Sequence, residues 1–393
     1  MDHIRMKPCS DGLYHIWVRD DSKKNGRRQL TSKSLETLKN KVMAYKTSQC
    51  NDVVSRKTFA DVFNLVESDK LKYVKSDRVA SRRNTVTRDK QYYDRFFSGK
   101  PIETKYIDEI TKADLESLIY DVLISDQIRK KAFYSMRGLL KSIFNRAFCE
   151  AWIKDDVFTR LDIKWYLPML EPDTDIKDRA HTDDDLNRIL SEIRKHEIKK
   201  PAYMPAYALE LQILLGCRPG EVTPIRKSDI SDSVISISRT QLLVRDYDEK
   251  TQQRNVIVNH TKTDVERVLP RFKALNEYLD RLYAALERYY PGCDVLFPDN
   301  STDTGVISGY ALYNYYRRTC KKLDIHLSKN CLKGTHSFRR NATTDIINLS
   351  HGNAELEARL IGHSPEVARK HYYTGIDLQN AAEILDKRNF TTG

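Results

Sequence analysis

Six side chains in the C-terminal half of the 393-residue chain could together break and remake a phosphodiester bond. They are Arg218 in LLGCRPGEV, Lys262 in HTKTD, His336 and Arg339 in GTHSFRRNATT, and His363 and Tyr372 in LIGHSPEVARKHYY. A guanidinium grips phosphoryl oxygens in a planar fork, so Arg218 and Arg339 suit a phosphorane-like transition state carrying extra negative charge. A phenol of pKa ~10 is a feeble nucleophile until its proton is removed and nearby positive charge favours the oxyanion. His336 can accept or relay that proton. Lys262, where one strand turns into the next, is placed to protonate the departing sugar oxygen, and His363 can donate a hydrogen bond to a non-bridging oxygen. A phosphotyrosyl linkage stores the bond energy, so a hydroxyl can reseal it without ATP or Mg²⁺. Paired carboxylates at metal-ligand spacing do not accompany the set, and neither a metal nor another cofactor is expected.

Tyr372 and Tyr373 stand nine and ten residues past His363. Neighbours on a helix point about 100° apart, so only one can face a phosphate, and Tyr373 stands as the alternative nucleophile. His336 and Arg339, three apart, would share one face of a helix starting near them. Glu221, three residues after Arg218, reads as a brace for that arginine or its helix, and Cys217 as buried filler. Each cluster is weak alone, since an Arg before Pro-Gly is often a turn and H-x-x-R is often helix surface. Ordered over about 155 residues, they are specific.

The residues must be held by a domain running from about 176 to the C-terminus, residues 176–393, helical overall with one strand-rich insert, VISISRTQLLVRD and QQRNVIVNHTKTDVERVLP. Thr182 or Asp183 can cap its first helix. Upstream, apolar residues recur at three and four positions in TFADVFNLVESDKLKYV, ASRRNTVTRDKQYYDRFF, TKADLESLIYDVLISD and RKKAFYSMRGLLKSIFNRAFCEAWI. This predicts a four-helix domain over 55–168, with Thr111 an N-cap and Phe133, Met136, Leu139, Leu140, Ile143, Phe144 and Trp152 a packing stripe. Residues 1–54 alternate in GLYHIWVRD, turn at Asn25-Gly26, resume in RRQLTSK and end in a short helix, with Tyr14 and Trp17 as a small core.

The formal charge is +12. It is concentrated: residues 1–50 hold eleven Lys or Arg against five acids, and residues 70–100 ten against three. Such clusters attract polyanions but also serve as solvated surface. Arg19, Lys23, Lys24, Arg27 and Arg28 in the first, and Arg78, Arg82, Arg83 and Arg88 in the second, are candidate DNA-contact residues. Seven scattered cysteines, an odd number without C-x-x-C pairs, fit reduced thiols better than disulfides or a zinc site. No run approaches the ~20 apolar residues of a membrane span and the first residues lack a signal-peptide core, so a cytoplasmic protein with no membrane partner is expected.

The chain resembles the tyrosine recombinases of the phage-integrase family. The family's first arginine falls on Arg218 in R-P-G-E, its hairpin lysine on Lys262 in T-K-T, and its H-x-x-R box on His336-Ser337-Phe338-Arg339. Its L-G-H-S element falls on Ile361-Gly362-His363-Ser364, with isoleucine in place of the usual leucine. The family's nucleophile, nine residues past that histidine, selects Tyr372. The resemblance implies a multidomain, mainly α-helical protein: a catalytic domain with a small β-sheet insert, a four-helix core-binding domain closing a clamp on DNA, and an N-terminal arm-binding domain of three strands and a helix. It implies double-stranded DNA as substrate and a homotetramer on two recombining sites, acting for a phage or conjugative element. It leaves room for an excision factor or a host DNA-bending protein as accessory partners. After the tyrosine, Leu378, Ala381, Ala382, Ile384 and Leu385 make an apolar stripe that could dock on a neighbouring catalytic domain or cover its own. Two rivals stay open: a type IB topoisomerase, which uses a similar residue set, and a DNA-binding relative that has lost its chemistry.

Overall fold

A computed structural model describes residues 8–20, 23, 25–52, 56–173, 175–245, 253–261, 266–327, 333–375 and 381–382. The chain divides into two units, Met1–Ser68 with Tyr92–Leu170, and Asp69–Gln91 with Glu171–Gly393.

In the first unit, strands β1 (Tyr14–Arg19) and β2 (Arg27–Ser32) pair antiparallel from Tyr14↔Ser32 to Arg19↔Arg27. Gly26 at the turn has φ +63°, the left-handed backbone that favours glycine. Helix α1 (Leu35–Asp52) covers one sheet face, burying Leu38 and Val42 against Ile16 and Val18. This corrects the sequence expectation for Trp17. Strand side chains alternate, so burial of Ile16 and Val18 sends Trp17 to the opposite face, where it is 59% exposed. Tyr14 is half-buried against the small core. Among the described residues this sheet has two strands.

The helical core of the same unit joins Phe59, Val62 and Phe63 of α2 (Phe59–Lys72) with Tyr93 and Phe96 of α3 (Val79–Phe96). After the short α4 (Pro101–Thr104), α5 (Lys112–Asp126) adds Leu115, Ile119 and Val122, and α6 (Lys130–Cys149) adds the full stripe from Phe133 to Phe144. Thr111 and Asp114 cap α5 reciprocally, each side chain meeting the other's backbone N–H. Trp152 packs half-buried on this core.

The second unit is organised around α8 (Met204–Leu215), whose apolar run MPAYALELQILL is buried almost all round, as expected of a central helix. Around it pack α7 (Asp183–Lys199), α10 (Lys273–Tyr289), α11 (Gly309–Lys322) and α12 (His336–Leu349). Thr182 caps α7 by accepting the Asp185 N–H. The one-turn helix α9 (Pro219–Val222) follows α8. The insert forms two antiparallel pairs, β3 (Val234–Ile237) with β6 (Arg267–Pro270), and β4 (Thr240–Arg245) with β5 (Gln253–Val258). From α3, Asn84 accepts the Arg245 N–H and donates to the Leu243 carbonyl, satisfying backbone groups of β4. The last described elements are α13 (Ala354–Glu357), a π-helical turn over Ala358–Gly362, and α14 (Pro365–His371). No helix among the described residues is long and apolar enough to cross a membrane.

Candidate active site

The site gathers at the C-terminal end of α8. Gly216 ends that helix at φ +61°, and a Cβ there would lie 2.6 Å from Ala342 Cβ, so only glycine lets α12 come this close. The chain then extends through Arg218, which caps α9, with Pro219 at the first helical position. Glu221 turns back on this arginine. Its Oε2 accepts the Arg218 backbone N–H at 3.1 Å and its Oε1 accepts Arg218 Nη1 at 2.6 Å. The R-x-x-E spacing thus makes the carboxylate both a helix cap and a clamp on the guanidinium.

Glu221 also accepts Nη2 of Arg267 at 2.5 Å. Arg267, the first residue of β6, is 3% exposed and donates to the Ile361 carbonyl as well. Sequence reading passed over this arginine. A signal was present, because alternation in RVLP sends Arg267 and Leu269 to the same buried side, as the structure finds.

Arg339 is fully buried on α12, donating Nη1 to the Gly216 carbonyl at 3.2 Å and Nη2 to the Ile361 carbonyl at 2.6 Å. The peptide oxygen of Ile361 therefore receives two guanidiniums. Burial, then the neighbouring charges of Arg218 and Arg267, pull the Arg339 pKa down to about 10 despite Glu221. For Glu221 burial alone would raise the pKa, yet Arg267, Arg218 and Arg339 hold it below the usual carboxylate range. Cys217 is buried beside these groups and its thiol is pushed up to about 11 by desolvation, an inert state.

Gly362 adopts φ +82°, and a Cβ on it would collide with the Arg267 side chain. The next residues set His363 and start α14: Ser364 Oγ accepts the Val367 N–H at 3.3 Å, and Pro365 opens the helix. The His363 side chain is 3% exposed, and burial, followed by the fields of Arg339 and Arg218, lowers its pKa to about 4. Its Nε2 lies 3.3 Å from Glu357 Oε1. Glu357 is itself raised by burial, so without substrate the two groups are driven towards neutrality rather than towards an ion pair.

The two tyrosines part company directly after α14. The Tyr372 ring stacks on His363 with centroids 4.7 Å apart and planes 19° apart. Arg339 Cζ lies 5.6 Å from that ring and Arg340 Cζ 5.9 Å, cation–π distances. Tyr373 turns to α12 and donates its hydroxyl to Asn348 Oδ1 at 3.1 Å, and the Thr374 N–H is held by Thr344 Oγ1 at 3.1 Å.

The structure thus brings together Arg218, Glu221, Arg339, His363 and Tyr372, and adds Arg267. His336 does not share the environment of Arg339: it is the first residue of α12 and exposed, whereas Arg339 one turn later is enclosed. Lys262 and Lys24 lie outside the described residues, as do Leu378, Ile384 and Leu385 of the tail. Among the surface arginines and lysine, Arg19, Lys23, Arg27, Arg28, Arg82, Arg83 and Arg88 are exposed. Arg78 is half-buried, its Nη1 at 3.0 Å from His260 Nδ1.

No protein-family model matches the sequence, and no curated protein matches it. Solved structures do. A fragment of the Tn1549 transposon integrase in complex with a circular intermediate DNA aligns with TM-score 0.59 and 16% identity, covering 83% of this chain and 99% of that one. A lambda integrase dimer bound to a core site gives TM-score 0.57 and 15% identity over 95% of this chain and 97% of that one. A lambda integrase tetramer bound to a Holliday junction gives 0.55 and 15% over 91% and 94%. The chain has the fold of these integrases.

Proposed function

We propose that this protein is a site-specific DNA recombinase that cleaves and rejoins duplex DNA through a 3′-phosphotyrosyl intermediate, integrating and excising a mobile element. The observation that carries this reading is the meeting of Tyr372 with His363 and Arg339 beside the Glu221-braced Arg218. In the proposed step the phenol oxygen of Tyr372 attacks phosphorus and the sugar oxygen leaves. Arg218 and Arg339 stabilise the charge on the non-bridging oxygens, His363 donates a hydrogen bond to one of them, and Lys262 protonates the leaving oxygen. His336 is assigned to the phenol proton. Resealing is the reverse, with a sugar hydroxyl as nucleophile, and needs neither ATP nor metal.

The exposed Arg82, Arg83 and Arg88 of α3 are assigned to phosphates of the core site, and residues 1–54 to a flanking arm site. The domain limits 55–168 and 176–393 belong to the same reading. Fold likeness to a tetramer on a Holliday junction supports a DNA-bound homotetramer as the working form.

The test is a suicide duplex carrying the element's end sequence, incubated in EDTA with wild type, Tyr372→Phe and Tyr373→Phe, then denaturing electrophoresis and peptide mapping. A covalent adduct lost only in Tyr372→Phe is expected. Loss only in Tyr373→Phe would move the nucleophile by one residue. Tight binding with no adduct from wild type would favour a DNA-binding protein without chemistry, and relaxation of supercoiled DNA without site preference would favour a topoisomerase.

A further inference from the structure

Glu357 is out of place for an acid in the helical stretch AELEARL, where solvent would be its ordinary surrounding. Instead, at the end of α13, it is wholly buried, with Oε1 accepting Thr343 Oγ1–H at 2.6 Å and lying 3.3 Å from His363 Nε2. Thr343 is itself fully buried, one turn beyond Arg339 on α12. Burying a carboxylate is costly, and none of the roles assigned above uses this one. The chain Thr343, Glu357, His363 ends at the imidazole stacked on Tyr372.

The two nitrogens of an imidazole point to nearly opposite edges of the ring. An acceptor fixed at one nitrogen decides what the other can do. The proposed function needs His363 to be a hydrogen-bond donor to phosphate, and with Nε2 facing Glu357 that donor is Nδ1–H. Both nitrogens then carry protons. In the DNA-free protein burial opposes this first, and then the charges facing the ring, Arg339 from α12, Arg218 ahead of α9 and Arg267 from β6, while a backbone hydrogen bond at Ser364 favours it. Arg340 of α12 is half-buried against Tyr372, whereas His336 and Asp345 of that helix and the charged side chains of α14 are exposed. A bound phosphate offsets the three arginines. The carboxylate behind the ring then favours the imidazolium, the extra proton coming from solvent as DNA docks.

We propose that Glu357, oriented by Thr343, is a positioning residue for His363: it accepts Nε2–H and holds the ring as an imidazolium whose Nδ1–H serves the scissile phosphate. This rests on the recombinase reading given above. A leucine or valine in the same place would satisfy packing alone. Glutamate supplies an orientation and a charge preference that packing does not need.

The experiment is single-turnover cleavage of the suicide duplex by the full chain from pH 5.5 to 9, with DNA affinity and thermal midpoint measured alongside. Glu357→Gln should cleave about tenfold slower near neutral pH, the loss expected for one hydrogen bond to a charged group, and its alkaline limb should move to lower pH. Glu357→Asp should recover much of the rate, and adding Glu357→Gln to His363→Ala should cost little more than His363→Ala alone. A uniform loss at every pH with a lowered thermal midpoint would reduce Glu357 to packing. Wild type that cleaves while Glu357→Gln is unchanged overturns the assignment of Glu357 alone; wild type that never cleaves overturns the recombinase reading beneath it.

Discussion

Gly362 answers two demands at once, a left-handed backbone and room for Arg267. Alanine there should cost about 1–3 kcal/mol in strain. It should also push Arg267 off Glu221 and the Ile361 carbonyl, and through them disturb Arg218 and Arg339. Gly362→Ala is therefore expected to lose stability in urea and to cleave at least about tenfold slower, whereas wild-type values on both counts would show that Arg267 can move aside freely. At this scale legibility depended on whether a residue's chemistry shows in its neighbours. Arg218 and Glu221 were readable because three-residue spacing returns a side chain to a helix N-terminus. Arg267 was readable only through the alternation of a four-residue strand. Glu357 was not readable, since an acid in a short helix looks the same in sequence whether it points to solvent or to a histidine.

Among the elements, the β1–β2 hairpin carries Trp17 beside Arg19, with Arg27 and Gln29 opposite them, on the face away from α1. An exposed indole contributes little to stability, so Trp17→Ala should change unfolding by less than about 0.5 kcal/mol. If that face meets DNA, the full-length variant should bind a flanking arm site more weakly while binding and cleaving the core site normally. A large stability loss, or equal weakening at both sites, would contradict this division. The sequence pattern located this hairpin, the four helices and the strand-rich insert, because periodicity is a local property. It left open which strands of the insert pair: β3 joins β6 across the intervening β4 and β5, and pairing of that kind is set by packing rather than by alternation. Trp17 was misassigned for a related reason, since alternation names two faces but does not say which one a helix will cover.

At the scale of the whole molecule, the Asp69–Gln91 with Glu171–Gly393 unit buries titratable groups that acid will disturb. His363 and His181 both have pKa values lowered to about 4, by burial first. Each has a folded value below the ~6.5 of an unfolded histidine, so its contribution is complete above ~6.5 and is lost as pH falls towards 4, by at most about 3 kcal/mol apiece. Glu221 acts in the same direction, its depressed carboxyl contributing at neutral pH and losing that contribution as pH falls through its folded value. Burial acts the other way on the carboxyls of Glu197, raised to about 8, and Glu357, which gain stability as pH falls, so the histidine share is read by comparison: the thermal midpoint of wild type should fall more between pH 7 and pH 4.5 than that of His363→Phe. Midpoints of wild type and His363→Phe that shift in parallel over this range would mean that the His363 imidazole is solvated in the native state. One contact in this unit lies beyond any such substitution. The acceptor shared by Arg339 and Arg267 is the peptide oxygen of Ile361, and every amino acid carries that oxygen. A scan of position 361 would report only the packing of its buried side chain and overlook this contribution, which only an amide-to-ester replacement at the following bond could expose. This part of the site is written in the backbone, where selection on side chains has nothing to read.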